Sequence, residues 1–394
     1  MAGDVTFFPV GNGDMTLVRL ADAAKTTVMI DCRIRQPGDG VPDVAAELRE
    51  RLQRDAKGRP YVDVFLLSHP DQDHCLGFKE HFWAGPLADY PDDEKDDEDK
   101  RIVIRELWSS PLVFRRAKRK KGSDGKEHVL CADAQAFDAE ARRRVNRNKA
   151  AGFTNIAEGD RILILGHDID GKAEGLEPIR VDAGRLIPRI NGSVNRHAEI
   201  HLIAPREPHD EDTEDELSKN DSSVIINLHL AARPDEFEYC RFLTGGDAGV
   251  LIWERLWNNH PAERNQLRYH LLQAPHHCSW HSLSYDSASE CDDPKVNAAA
   301  RNALGQAESG ALIVASSTPI DDDKCDPPSH LAKMEYQVIL KQPMGRFYCT
   351  GEYRTRKNPE PFVLEITPSG FRQATPTGAA MGVAAAAAPR AGRV

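Results

Sequence analysis

The chain has 394 residues, 29% of them charged, and a formal net charge of -11. This acidity disfavours nonspecific binding to nucleic acid, which usually relies on a basic face. No segment offers the ~20 apolar residues that a membrane span requires, and no basic and then apolar signal segment opens the chain. Eight cysteines occur without a Cys-x-x-Cys pair. We therefore expect a cytoplasmic protein that does not bind membranes.

The hydrophobic pattern predicts alternating strands and helices. Apolar and polar residues alternate over 6–10 and 15–20 around a Gly-Asn-Gly-Asp turn, which predicts a β-hairpin. Helical spacing over 43–54 precedes an apolar strand at 62–67. Further elements are predicted as strands at 161–165, 201–204, 223–230, 241–243 and 311–316, and as helices at 250–258 and 330–340. The pattern alone indicates a mixed α/β fold.

A charged segment at about 82–152 interrupts this pattern, and its 134–151 part predicts a helix. We interpret the segment as an insertion. Its basic block predicts nucleic-acid contact by Arg115, Arg116, Lys118, Arg119, Lys120 and Lys121. The alternative is a solvated surface that pairs with the acidic runs at 92–99 and 209–216. The remaining chain predicts one domain over 1–373, followed by a disordered Ala-, Gly- and Pro-rich tail at 374–394.

A polar cluster directly follows the apolar strand at 62–67. It comprises His69, Pro70, Asp71, Gln72, Asp73 and His74. Imidazole and carboxylate are the usual ligands of Zn²⁺, Mn²⁺ and iron, and a loop after a strand can turn several of them toward one point. The alternative is an ordinary polar loop in which these residue types fall together.

Two later strand ends carry the same residue types. Asp247 follows the strand at 241–243 in the sequence Thr-Gly-Gly-Asp-Ala, and His276 and His277 follow a third apolar run in the sequence His-His-Cys-Ser. Three strand ends therefore each offer metal ligands.

In order, these motifs resemble the metallo-β-lactamase-fold hydrolases, and most closely the branch found as a domain in ComEC-type competence proteins. The Gly-Asn-Gly-Asp turn ending at Asp14, the Ile-Asp strand end at Asp31, the Pro-Pro-Ser-His sequence ending at His330 and the Tyr-Cys-Thr sequence ending at Thr350 agree with that branch. The resemblance implies an αββα sandwich, two sheets face to face with helices outside, with the charged insertion after the first metal-binding loop.

Several positions depart from the family pattern. Asp71 replaces the second His of the commoner His-x-His-x-Asp-His core, and a carboxylate there makes Mn²⁺ or Mg²⁺ plausible beside Zn²⁺. The family's middle His ligand has no match in the stretch that begins at Asn220, and Cys278 stands where the last motif carries Gly. These changes either tune the pocket or mark a degenerate, non-catalytic module.

The resemblance implies one or two divalent ions, Zn or Mn, and a metal-activated water. Asp73 would orient or deprotonate the water, and Asp247 would bridge two ions. The implied metal ligands are His69, Asp71, Asp73, His74, Asp247 and His276. Implied supporting or substrate-binding residues are Asp31, His277, Ser279 and Asn220. His276 is favoured over His277 as the ligand, and for Asp31 the alternative is a residue that caps a turn.

The substrate class stays open because this fold family hydrolyses several kinds of bond. A phosphodiester of a nucleic acid or nucleotide is favoured, in DNA turnover or in defence with a partner protein. The alternatives are a small ester, thioester or lactone, and an interaction module without activity.

Overall fold

A computed structural model describes residues 2–111, 120–121, 127–128, 130–168, 171, 173–207 and 220–374. Within these residues there are seven α-helices: Val44–Arg51 (α1), Gln72–Cys75 (α2), Phe78–His81 (α3), Ala132–Ala150 (α4), Val250–Asn259 (α5), Ala298–Leu304 (α6) and His330–Lys341 (α7). None of the described helices is both long and apolar enough to cross a lipid bilayer.

The strands of the described residues form two large sheets and one small hairpin. In chain order they are Gly3–Phe7 (β1), Thr16–Arg19 (β2), Thr27–Ile30 (β3), Gln53–Arg54 (β4), Pro60–Leu67 (β5), Phe82–Trp83 (β6), Ile102–Ser109 (β7), Lys120–Lys121 (β8), Glu127–His128 (β9), Arg161–Leu165 (β10), Arg180–Val181 (β11), Leu186–Ile187 (β12), Ala198–Ala204 (β13), Ile225–Leu230 (β14), Arg241–Leu243 (β15), Tyr269–Gln273 (β16), Ala307–Ala315 (β17), Arg346–Cys349 (β18), Phe362–Thr367 (β19) and Gly370–Gln373 (β20).

The first sheet has the strand order β11-β10-β7-β5-β3-β2-β1-β19-β20, with β4 beside β5 and β6 beside β7. The second sheet has the order β12-β13-β14-β15-β16-β17-β18, and β8 pairs with β9. Each large sheet contains a parallel pair whose strands lead into the polar loops, because β3 runs parallel to β5 in the first sheet and β15 runs parallel to β16 in the second.

The two large sheets face each other across a shared apolar core. Leu66 of the first sheet and Leu271 of the second belong to this core. The neighbouring Leu272 points to the opposite face, as the period of two in a strand requires, and packs with Trp253 and other residues of α5–α7. Helices α1, α3 and α4 cover the outer face of the first sheet. The prediction of a mixed α/β fold is confirmed.

The segment predicted as an insertion contributes to the first sheet and to its helical layer. Strand β7 lies between β5 and β10. Helix α4 buries Arg144, which pairs with Glu140 at 2.7 Å and donates to the carbonyl of Ile104 at 2.9 Å. Of the predicted basic contact residues, Arg115, Arg116, Lys118 and Arg119 lie outside the described residues, and of Lys120 and Lys121 only the backbone is described. The tail beyond residue 374 and the acidic run at 209–216 also lie outside them.

Candidate metal centre

The polar strand ends meet at one edge of the two facing sheets. Asp31 directly follows β3, and His69 lies two residues after β5. Asp247 follows β15, and His276 and His277 follow β16. Parallel strands end at the same edge of a sheet, so each sheet presents its polar loops together. The edges of the two sheets are joined where the amide of Val224 donates to the carbonyl of Ser68 at 2.9 Å, and the loops therefore face each other.

Four side chains form the centre of this meeting point. Asp14, His74, Asp247 and His277 each offer a ligand atom, and these four atoms all lie within 4.8 Å of one another. All four residues are at most 2% exposed. Asp14 comes from the turn between β1 and β2, where its amide donates to the carbonyl of Asp73 at 3.2 Å. The turn that carries Asp14 is thus held against the segment at 69–74.

The two carboxylate oxygens of Asp247 face two different pairs of imidazole rings. Its Oδ1 lies 3.0 Å from Nε2 of His74 and 3.4 Å from Nε2 of His277. Its Oδ2 lies 3.5 Å from Nε2 of His69 and 3.6 Å from Nε2 of His276. On the first side, Asp73 adds a carboxylate oxygen 3.3 Å from Nε2 of His277. Asp247 therefore lies between two groups of nitrogen and oxygen donors.

Several of these buried atoms have no hydrogen-bond partner within the described part of the chain. They are Oδ1 of Asp14, Nε2 of His69, Nε2 of His74, Oδ1 of Asp247 and both ring nitrogens of His277. Buried polar atoms normally find a partner. A divalent cation binds to these donor types, so the buried Asp and His cluster could hold a divalent metal ion.

The electrostatics of the cluster favour a cation. Burial opposes the charged form of His277, but the carboxylates of Asp247, Asp14 and Asp73 outweigh it and raise the pKa of His277 to about 10. Burial also opposes the charge of Asp247, and the surrounding imidazoles of His74, His277 and His69 nevertheless hold its pKa well below the ordinary range. The buried carboxylates thus draw positive charge toward them, which a metal ion would also supply.

Asp31 contacts His74 within the cluster. Its carboxylate is 1% exposed and accepts hydrogen bonds from the amide and hydroxyl of Ser68 at 2.7 and 2.6 Å. It also lies 2.8 Å from Nδ1 of His74, which leaves Nε2 of that ring directed at Asp247. Such carboxylate contacts fix the tautomer and orientation of a metal-binding imidazole. The residue has φ of 56°, a conformation that Asp tolerates better than most residues.

A left-handed backbone turn places the two histidines after β16. His276, His277 and Cys278 have φ values of 50°, 53° and 70°. Consecutive non-glycine residues in this region store strain, a feature that clusters at functional sites. The amide of His276 donates to the carbonyl of Gly246 at 2.8 Å, which ties this turn to the loop that carries Asp247. The positive φ at Cys278 also explains why glycine suits this position in the motif that the chain resembles.

The other predicted site residues surround the four central side chains. His69 and His276 lie 3.5 and 3.6 Å from Asp247, and Asp73 lies 3.3 Å from His277. Asp71 stands at the N-cap of α2, outside the group of four. Ser279 is buried, and its hydroxyl accepts from the amide of His281 at 3.1 Å, which caps the next turn. Asn220 begins the short 3-10 helix Asn220–Ser222.

Asp14 is the member of the group that the sequence does not identify as a ligand. The Gly-Asn-Gly-Asp turn is a landmark of the resemblance, but a turn far from the other ligands in sequence gives no local evidence that its Asp points toward them. The choice between His276 and His277 likewise has no local signal. The structure places His277 in the group of four and His276 on the other side of Asp247.

The fold and site define a mixed α/β protein with a buried Asp and His cluster that could hold a divalent metal ion. No protein-family model matches the chain, and no curated protein matches it. Eleven chains of solved structures match, among them the crystal structure of unliganded yeast PDE1. That match has a TM-score of 0.39 and 10% sequence identity, and covers 88% of this chain and 97% of the yeast chain. A likeness at this level carries no conclusion about function.

Proposed function

We propose that the chain is a metal-dependent hydrolase of the metallo-β-lactamase type, with the layers of an αββα sandwich. The observation that supports this most directly is the position of Asp247, whose two carboxylate oxygens each face a pair of imidazole nitrogens. A cluster of ion pairs without a metal needs no such division. Asp247 could supply an oxygen to each of two cations, and the imidazoles on either side would supply nitrogen ligands.

In this proposal the donors divide into two sets around Asp247. His74, His277, Asp14 and Asp73 lie on the side of Oδ1, and His69 and His276 lie on the side of Oδ2, with Asp71 as a further candidate from the same loop. The mixed nitrogen and oxygen donors fit Zn²⁺ or Mn²⁺. When bound, such ions lower the pKa of a water and polarise the oxygen of the bond under attack.

In this proposal Asp73 orients the attacking water. Its side chain is 35% exposed, whereas those of His277 and Asp247 are 0% and 3% exposed, so it lies at the solvent-facing side of the cluster. Burial opposes its ionisation, but His277 and His74 outweigh burial and lower the pKa of Asp73 well below its ordinary value. Asp73 is therefore a carboxylate at neutral pH, able to accept a hydrogen bond from water and to orient it.

The substrate that we propose is a phosphodiester. The donor set contains the carboxylates of Asp14, Asp73 and Asp247, and oxygen-rich sites suit the metals that handle phosphates. A neutral ester or thioester, the competing substrate class, needs less positive charge at the site.

The test combines metal content with hydrolysis. The full chain, purified without chelator, is analysed for Zn and Mn per chain and assayed with bis(4-nitrophenyl) phosphate and 4-nitrophenyl acetate, alongside Asp247→Asn, the double variant Asp73→Ala with His74→Ala, and the control Asp39→Asn. Asp39 is exposed and lies in a loop after β3. We expect one or two equivalents of metal at this centre and phosphodiester hydrolysis in the parent and the control, and loss of the hydrolysis and of that metal in the other variants.

Two results would contradict the proposal. A parent that binds no stoichiometric metal after Zn²⁺ and Mn²⁺ are added would leave a non-catalytic interaction module. A parent that needs the metal but cleaves only the acetate ester would retain the hydrolase and replace the phosphodiester by a small ester.

A further inference from the structure

Two arginines pack against the turn that carries Asp14. Arg33 lies across Gly13, where an added Cβ would come within 2.1 Å of Cδ of Arg33 and 2.6 Å of the carbonyl oxygen of Asp73. The guanidinium of Arg33 donates to the carbonyl of Asn12 and, at 3.4 Å, to that of Val10. A side chain at position 13 would displace Arg33 or the backbone of Asp73, so glycine is required there.

Arg35 approaches the same turn from its other glycine. A Cβ at Gly11 would lie 3.4 Å from Nη2 of Arg35 and 3.5 Å from Nη1 of Arg33, so these two guanidinium nitrogens are within about 7 Å of each other. Arg35 is partly buried, and within the described residues no hydrogen bond or ion pair joins it to another side chain. Within the described part of the chain, neither of these neighbouring cations forms an ion pair with a carboxylate.

The arginine pair lies beside the exposed side of the metal centre. Gly13 directly precedes Asp14, and the amide of Asp14 donates to the carbonyl of Asp73. Burial and the charge of Arg35 lower the pKa of Arg33, and the charge of Asp73 opposes this shift. An anion bound between the guanidinium groups would offset both the burial of Arg33 and the repulsion between the pair.

We propose that Arg33 and Arg35 form the subsite that binds the phosphate group of an anionic substrate next to the metal centre. Guanidinium groups match phosphate oxygens geometrically and keep their charge at all physiological pH values. Two N–H donors within about 7 Å can both reach oxygens of one phosphate, since each hydrogen bond spans about 2.9 Å. This assignment rests on the proposed hydrolase function. It specifies an anionic phosphate substrate from the arginine pair, and not from the basic block at 115–121.

Arg35→Gln is the cleanest test, because Arg33 also supports the turn of Asp14 through its contacts with Val10 and Asn12. With the metal-loaded full chain, we expect Arg35→Gln to raise KM for bis(4-nitrophenyl) phosphate at least tenfold more than KM for 4-nitrophenyl acetate, the usual scale for one charge-assisted hydrogen bond. Metal content should match the parent. Arg35→Lys should restore part of the loss, and Arg185→Gln, at an exposed arginine, serves as the control.

An equal change in both KM values, or none, would overturn the subsite. If the parent hydrolyses neither substrate, the proposed function fails, and calorimetric binding of inorganic phosphate to the metal-loaded chain decides the subsite separately. Weaker phosphate binding by Arg35→Gln than by the parent would support it, and equal binding would refute it.

A second, independent cluster lies at the opposite end of the second sheet. Glu199 and His229 face each other across β13 and β14, and His201 lies two residues further along β13 on the same face. The Oε1 atom of Glu199 is 2.8 Å from Nε2 of His201 and 3.5 Å from Nδ1 of His229. His229 pairs with Arg241 at the start of β15, whereas Asp247 follows the end of that strand. The cluster is thus separate from the metal centre.

We infer that Glu199, His201 and His229 form a second Zn²⁺ site. Bonds of about 2.0–2.1 Å in a tetrahedral geometry place neighbouring ligand atoms about 3.3 Å apart, a value that lies between the two distances observed, 2.8 and 3.5 Å. The ligand atoms of all three residues lie within 4.8 Å of one another. The side chains of His201 and His229 are 18% and 12% exposed, so the site is sheltered yet open to a water as fourth ligand.

Elemental analysis after zinc loading and desalting tests this site in three proteins: the parent, His201→Asn with His229→Asn, and Asp247→Asn. We expect the double His variant to lose one equivalent of zinc, and Asp247→Asn to retain that equivalent while losing metal at the first centre. Asn conserves polarity and keeps the sheet face solvated. A double variant that binds as much zinc as the parent, with unchanged thermal unfolding, would overturn the site.

Discussion

Replacing Asp31 by Asn removes the charge that orients His74 while leaving the backbone undisturbed. Asn is, with Asp, among the residues that tolerate φ near 56°. Its carbonyl oxygen can still accept from the amide of Ser68, but its NH₂ group then takes the place of Oδ2. That oxygen is 2.8 Å from Nδ1 of His74. A donor would face a donor, and the ring would lose its anchor.

The size of the effect follows from that one contact. A hydrogen bond to a charged group contributes about 1.5–3 kcal/mol, so the loss of the contact with His74 should weaken metal binding by about 2 kcal/mol, or roughly 30-fold. This agrees with the roughly 10–100-fold loss that follows removal of a partner behind a metal-binding imidazole. The hydroxyl of Ser68 can rotate to accept from the new NH₂ group, so we assign it no large cost.

Competition with a chromophoric chelator measures the dissociation constant of Zn²⁺ or Mn²⁺ for Asp31→Asn, for the parent and for the exposed control Asp39→Asn. Thermal unfolding of the metal-free proteins shows whether the fold is retained. If Asp31→Asn remains folded and binds metal within threefold of the parent, Asp31 does not support the site, and the alternative of a turn cap is correct.

Three further changes test the surroundings of the site and the core. Gly245→Ala should lower the stability of the fold and weaken metal binding at least tenfold in a chelator titration, because the new Cβ would lie 2.9 Å from Cα of Pro275, directly before the two site histidines. Gly38→Ala, which has open space around it, should change neither property. Burial raises the pKa of Glu106 to about 7, above its unfolded value, so its contribution to stability is complete below about pH 4 and is lost as the pH rises through 7. Glu106→Gln should therefore gain stability relative to the parent between pH 5 and 8, by up to about 3 kcal/mol in urea unfolding, and a difference that does not change with pH would contradict this. Trp253→Phe removes the indole hydrogen bond to the loop after Asp247, 3.0 Å long, and should cost about 1 kcal/mol of unfolding free energy, with weaker metal binding as the distinguishing measurement.

The elements whose patterns are local were predictable from the sequence. The predicted ends of helices α5 and α7 agree with the observed ends within one residue. Apolar spacing predicts such helices well because it depends only on neighbouring residues. Strand β7 was not predicted. Its residues lie inside a charged segment, and only the long-range pairing with β5 and β10 shows that they belong to the first sheet. Local charge does not reveal such pairing.

The site residues were likewise predictable only where their pattern is local. Each polar strand end was visible in the sequence, since a metal-competent residue directly after an apolar run is a local pattern. The contribution of Asp14, the choice between the two adjacent histidines and the approach of Arg33 and Arg35 depend on backbone conformations with positive φ and on contacts across the facing sheets. Neither is encoded by spacing along the chain.

The central donors come from the two sheets in equal numbers. Asp14 and His74 lie in connections between strands of the first sheet, and Asp247 and His277 lie in connections between strands of the second. A bound ion would therefore act as a cross-link between sequence-distant halves of the chain, and it would bind only when both edges are in place. Metal loading should slow amide hydrogen exchange in β5 and β16 together. The lifetime of the folded state would then depend on the supply of metal as well as on the strength of the apolar core.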